Sequence, residues 1–204
     1  LRPPAVANTK LEPLLTSVFA QALAQTARRF KVGIAWSGNV NFRHDRLKST
    51  SLSTFLPLAA VPGVQLFSLQ FGPRAAQLAA AQLGAEQLGA EQLKTLGGGA
   101  NIVDLAPLID DFADTAVALA SLDLVISVDT GLVHLAGALG RPTWVVLPYV
   151  SDFCWLRDRE DGPWYPSLRL FRMAHENDWA GVITRVAEAL KEMAALKQVA
   201  SSLN

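Results

Sequence analysis

From Lys31 onward, short apolar runs recur along the chain, separated by stretches whose apolar residues fall at helical spacing. The runs are KVGIAW (31–36), VQLFSL (64–69), ANIVDL (100–105), LDLVISV (122–128), PTWVVLP (142–148) and SLRLFR (167–172). They are rich in β-branched residues and continuous rather than alternating, the signature of strands buried on both faces. Helical patterns fill the intervals near 51–60, 73–96, 111–121 and 131–140, and a last one spans about 178–198. Upstream, Leu14, Leu15, Val18, Phe19, Ala22 and Leu23 fall at helical spacing within 11–30. Buried strands alternating with helices predict an α/β fold, a Rossmann-like three-layer sandwich around a mostly parallel sheet of about six strands with right-handed crossovers.

One stretch does not fit a packed helix. The pentapeptide QLGAE occurs at 82–86 and again at 87–91. A period of five carries Leu78, Leu83, Leu88 and Leu93 around the helix instead of along one face, and each internal glycine costs about 1 kcal/mol against alanine. The segment reads as a surface expansion with no site on it. With 204 residues, 50% of them hydrophobic, the chain suffices for one core of ordinary size. It divides into an N-terminal helix and connector over 1–30 and one Rossmann-like domain over 31–204. It opens LRPPAVANTK without a methionine, which suggests a piece of a longer protein.

Charge and cysteine usage narrow the partners. Lys plus Arg equals Asp plus Glu at 18 each, so no global field draws the chain to nucleic acid or an anionic membrane. Runs such as VALASL and WVVL fall far short of the roughly 18 to 20 apolar residues of a transmembrane helix. The only cysteine, Cys154, excludes an intramolecular disulfide and a cysteine-based zinc site, and suits a reducing, cytoplasmic setting.

In an open α/β sheet, ligands bind beyond the carboxyl ends of the strands, where helix N-termini present unpaired amides. Two strand-to-helix junctions carry suggestive chemistry. In SVDTGLVHLAG, Asp129 or Thr130 caps a helix whose core stripe is Leu132, Leu135, Ala136 and Leu139. At about 100° per residue His134 lies roughly 150° from that stripe, on the face of Thr130 and pointing to the open end of the sheet. The plain alternative is that Asp129 and Thr130 only cap the helix and His134 is solvated or satisfied. The second junction, WSGNVNFRHDRLKS, offers the Ser37 hydroxyl and Gly38 amide with Arg43, His44, Arg46 and Lys48, groups suited to phosphate; its alternative is a solvated polar loop. Further on, Trp155, Trp164 and Tyr165 either pack their loop onto the domain or form a ligand or domain-contact surface.

Several chemistries lack their patterns. There is no G-x-G-x-x-G after the first strand, no P-loop, and no glycine two residues after Ser37 to make a nucleophile elbow. His44, His134 and His175 are too scattered to suggest a zinc site, so no metal is expected.

Taken in order, VGIAWSGN, the basic loop ending RLKS, FSLQ, the segment from DLAPLIDDFADT to GRPTWVVLP, WYPSLRLFR and DWAGVITRVAEAL resemble the C-terminal domain of glycosyltransferases of the heptosyltransferase type, family nine. The likeness runs from about Lys31 to Leu190 and is greatest to bacterial versions at the end of tetratricopeptide-repeat proteins. It implies one half of a GT-B fold, binding a nucleoside-diphosphate sugar as donor substrate, with no cofactor and no metal. It places Asp129, Thr130, Gly131 and His134 at the donor diphosphate and sugar, with Ser37, Gly38 and Lys48 approaching the diphosphate. His134 would stabilise the departing diphosphate, and Asp129 would meet sugar hydroxyls or hold His134 and the cap. The catalytic base would come from an N-terminal GT-B domain absent from these residues, so the chain alone would bind donor without transferring sugar to its acceptor. Its uncovered apolar face would favour self-association. The alternative is a noncatalytic binding or scaffolding module of a tetratricopeptide-repeat protein; a sugar-nucleotide epimerase of this fold would also need the absent half.

Overall fold

The computed structural model describes residues 11–23, 30–86 and 102–202. The expected strands form β1 (Phe30–Ala35), β2 (Val64–Ser68), β3 (Val103–Asp104), β4 (Leu124–Val128), β5 (Thr143–Leu147) and β6 (Leu168–Arg172). All pair in parallel in the order β3-β2-β1-β4-β5-β6, which is the doubly wound Rossmann order. The register of β1 on β4 sets Val32 beside Leu124 and Ala35 beside Ser127. Strands β2, β4 and β5 are buried along their whole length, as continuous apolar runs require.

Seven α-helices flank the sheet: α1 (Leu11–Leu23), α2 (Asp45–Lys48), α3 (Leu52–Phe55), α4 (Ala76–Glu86), α5 (Phe112–Ala120), α6 (Gly131–Ala138) and α7 (Trp179–Ser202), counted among the described residues. One face carries Val32, Ile34, Leu66, Ile126 and Val146 beneath Phe55, Leu78, Val186 and Leu190, from α3, α4 and α7. The other face carries Phe67, Leu69 and Val125 beneath Leu15, Phe19, Leu119 and Ala136, from α1, α5 and α6. A third cluster joins Val133 of α6 to Val145, Leu147, Leu170 and the fully buried Trp155.

Some elements differ from their sequence reading. Of the helix expected over 11–30, the structure describes Leu11–Leu23, and 24–29 lie outside the described residues. Its Leu11, Leu15 and Phe19 dock on the sheet, with Phe19 edge-on to Phe67 at 4.7 Å. The 51–60 helix changes after Phe55 to a 3-10 helix over Leu56–Ala60, where Pro57 has no amide to continue the α-helical ladder. Helix α2 lies in what reads as a loop. In the repeat region Leu78 is buried and Leu83 exposed, as a rotating period of five demands, and the second repeat at 87–91 lies outside the described residues.

Ile34→Ala in β1 removes a side chain that is fully buried, and urea unfolding should show a loss of about 2–5 kcal/mol. Leu83→Ala, on the exposed side of α4, should change stability by no more than about 0.5 kcal/mol.

Candidate functional site

The chain leaves β1 towards β2 over one face of the sheet and leaves β4 towards β5 over the other, so the loops beyond their carboxyl ends part. A cavity of about 550 Å³ lies there, lined by the loop after β1 (Ser37–Asn41), the loop after β2 (Leu69–Pro73), residues 109–112 and the first residues of α6. Its walls are largely apolar, from Leu69, Phe71 and Ile109 among others. That is where a doubly wound sheet binds ligands.

The loop after β1 is held by side chains from distant parts of the chain. Gln70, buried at the end of β2, accepts from the Trp36 and Ser37 amides at 3.0 and 2.8 Å. Its Nε2 donates to the Ser37 and Phe71 carbonyls at 3.1 and 2.8 Å, so the two loops are stapled together with every amide function of the side chain satisfied. Next along, the Gly38 amide donates to Ser49 Oγ at 2.9 Å, and Ser49 donates to the buried Asp45 at 2.5 Å. Asp45 in turn forms an ion pair with Arg74 at 2.7 Å. The Gly38 amide expected to serve a phosphate is thus engaged inside the protein. What Gly38 contributes is space: a Cβ there would stand 3.3 Å from Asp45 and 3.7 Å from Thr130. Ser37 lines the cavity with its hydroxyl making only a long contact to the Gly38 carbonyl, at 3.4 Å.

Two helix N-termini face this space, and they differ. At α5 the Asp111 carboxylate accepts from the Ala113 and Asp114 amides at 2.7 and 2.9 Å, so the helix start is closed by its own acid. At α6 Thr130 holds the N-cap position with extended backbone, but its side chain makes no cap bond and instead meets Ser127 Oγ at 3.3 Å. The Gly131 and Leu132 amides therefore have no intrahelical acceptor and no cap. Thr130, Gly131 and Leu132 all line the cavity.

The remaining expected residues lie beside the cavity, outside its lining. Lys48, at the end of α2, reaches Asp129 at 3.4 Å and sits 4.7 Å over the Phe42 ring. Arg43, His44 and Arg46 of the same segment are exposed. His134 lies outside the cavity lining, against a second packed surface of α6 that the single stripe does not reveal. It is half-buried, stacked on Trp155 with ring centroids 5.4 Å apart, and the Tyr165 hydroxyl is 3.5 Å from its Nδ1. Helix α6 is packed on two sides, and Gly137 makes this possible: a Cβ there would come within 2.5 Å of Tyr165. The aromatic segment thus divides its roles, with Trp155 and Tyr165 closing over α6 and Trp164 exposed, its Nε1 donating to the Cys154 carbonyl at 2.7 Å.

Cys154 lies in the same neighbourhood. Burial first, then the Asp129 and Asp152 charges, push its thiol up to about 11. Among the described residues no three His, Cys, Asp or Glu side chains gather as a metal site would need, and no helix is long and apolar enough to cross a membrane. Sequence reasoning assigned no role to Gln70, Asp45 or Ser49. Only the glutamine ending FSLQ, a polar residue closing a buried strand, carried a signal.

Gln70→Leu should leave the Trp36 and Ser37 amides buried without an acceptor, at about 1–3 kcal/mol, and hydrogen exchange at those two amides should quicken. Because the Cys154 pKa is raised to about 11, the neutral thiol persists through pH 9. Alkylation by iodoacetamide at pH 8 should run about a hundredfold slower than for a free thiol and rise only as pH approaches 11.

Comparison with known proteins gives these features a context. Residues 77–147 match Glycosyltransferase family 9 (heptosyltransferase). Protein FlbA of Caulobacter vibrioides is 33% identical over 167 residues, which are 81% of this chain and 26% of that protein. Among solved structures, E. coli ADP-heptose lps heptosyltransferase II aligns with a TM-score of 0.58 at 19% identity, over 89% of this chain and 52% of that one. E. coli heptosyltransferase WaaC with ADP aligns at 0.52 and 20% identity, over 87% of this chain and 48% of its own. The chain spans about half the length of these structures and about a quarter of FlbA. Residues 77–147 thus resemble glycosyltransferase family 9 (heptosyltransferase), and they sit in a Rossmann-like fold similar to one half of a solved heptosyltransferase.

Proposed function

We propose that the chain binds a nucleoside-diphosphate sugar with its diphosphate at the N-terminus of α6, and that it supplies the donor half of a glycosyltransferase. The observation that carries this reading is the contrast between the two helix starts at the cavity. That of α5 is closed by Asp111, whereas the Gly131 and Leu132 amides of α6 are uncapped beside the Thr130 and Ser37 hydroxyls. An anion placed there meets unpaired donors and the positive end of the helix dipole. The apolar wall from Leu69, Phe71 and Ile109 suits the flat ring of a nucleobase.

Transfer breaks the bond between the sugar and the diphosphate, and negative charge grows on the departing nucleotide. The α6 amides, Thr130 and His134 stabilise that charge by fixed donors, with no metal required. Asp129 alone would repel a phosphate; its pairing with Lys48 offsets that charge and holds the cation beside the site. The acceptor and the catalytic base belong to a second, N-terminal GT-B domain facing this one. Exposed Phe42, Phe71, Phe112, Tyr149 and Phe153, all on segments beyond the carboxyl ends of the strands, give such a domain an apolar surface to meet. In its absence the same surface favours self-association.

Titration calorimetry with UDP-, ADP-, GDP- and dTDP-sugars should find at least one ligand. His134→Ala and Lys48→Ala should each weaken that ligand by about tenfold or more, and excess EDTA should leave binding unchanged. Absence of binding across the panel would sink the reading, as would unaltered affinity in both variants.

A further inference from the structure

Between β5 and β6 the chain runs over residues 148–167 with a single 3-10 turn, Phe153–Trp155, for regular structure. Leu156 and Asp158 lie in the left-handed region, at φ of 53° and 54°, where residues with a Cβ are seldom found. This irregular segment nevertheless delivers the fully buried Trp155 to a defined place, stacked on His134. Within the segment, the Trp155 and Leu156 amides each donate at 3.1 Å, to the Asp152 and Phe153 carbonyls, and the Trp164 indole donates to the Cys154 carbonyl at 2.7 Å.

The tie between this turn and the sheet is Arg172, the last residue of β6. Its Nη2 donates to the Trp155 and Leu156 carbonyls at 2.6 and 2.7 Å, and its Nη1 donates to Ser151 Oγ at 2.5 Å. The guanidinium thus gathers both ends of the turn, including the carbonyl of strained Leu156. The base of this clamp is the sheet: Arg172 is in register with Leu147 of β5, and the following Met173 amide donates to the Leu147 carbonyl at 3.0 Å. Burial lowers the Arg172 pKa and Asp158 opposes that, but an arginine stays charged in either case. A fixed, planar set of donors can hold three acceptors at once where a lysine ammonium cannot reproduce the fork.

We propose that Arg172 is the positioning residue for His134: it fixes the 151–156 turn so that Trp155 forms the wall against which the imidazole is set. Arg172 lies outside the cavity lining. It acts through the Trp155 backbone, then the indole, then His134, with Tyr165 closing the other side over Gly137. This role rests on the reading of His134 as a donor-diphosphate group.

The test uses the full chain, with ADP as the binding probe and proton NMR of the His134 ring as a readout independent of any ligand. In the wild type the His134 ring protons should carry the ring-current shift of a stacked indole, and Trp155→Leu should abolish it. Arg172→Met, which keeps the stem and removes the donors, should diminish that shift and weaken ADP by about tenfold. Arg172→Lys should recover little of either. His134→Ala should weaken ADP to a similar degree, and the double variant Arg172→Met/His134→Ala no further, because the two lie on one path. Additive losses, or an undisturbed His134 signal in Arg172→Met, would overturn the proposal. Should Arg172→Met fail to fold, Arg172→Lys is read by the same two measurements. If the wild type does not bind ADP, the nucleotide assignment loses support while the ring-current comparison still decides the role of Arg172.

Discussion

Strands β1 and β4 lie side by side in the sheet, yet the chain leaves them over opposite faces. That divergence is the constraint on which the site depends. It opens a crevice that no crossover can cover, and it turns two loops and two helix starts towards the same space. The buried strands around it make the base rigid. Because β1 and β4 pair directly, with Ala35 beside Ser127, the loop at Ser37 and Gly38 and the turn at Asp129 and Thr130 begin from one fixed platform.

What distinguishes this crevice is how its polar groups are divided. The amides of Trp36, Ser37 and Gly38 bond to Gln70 and Ser49, so they shape the site and leave no donors for a ligand. At α5 the Ala113 and Asp114 amides are bonded to the Asp111 carboxylate. The start of α6 remains open, with hydroxyls on either side and Lys48 and Asp129 paired nearby. Of the two helix starts at the cavity, only that of α6 has no side-chain cap, so it is the one that offers its amides to an anion.

Much of this was legible in the sequence, and the remainder was hidden for identifiable reasons. Doubly buried strands announce themselves as continuous β-branched runs, so VQLFSL and PTWVVLP mark β2 and β5 to within a residue or two at each end. The junctions after β1 and β4 stood out because polar residues interrupt apolar runs there. Helix α2 was not legible because its span, Asp45–Lys48, is shorter than two turns and shows no period. The aromatic surroundings of His134 were not legible because one stripe accounted for α6 by itself. Its second packed face depends on Trp155 and Tyr165, which approach from a distant loop through the space at Gly137. Likewise the partner of Asp129 lies 81 residues away at Lys48, and the fate of the Gly38 amide depends on a hydroxyl eleven residues on. Residue types reveal which groups could bind a ligand; only the fold reveals which have already found partners.

The central claim is that the bare start of α6 is the diphosphate site. A crystal structure of the chain soaked with a nucleoside-diphosphate sugar tests it most directly. Phosphate oxygens should lie within hydrogen-bond distance of the Gly131 or Leu132 amide and of Thr130, with the base against the apolar wall at Phe71. A diphosphate seated at the start of α5, on the exposed arginines of the 39–48 segment, or outside the crevice altogether would contradict it.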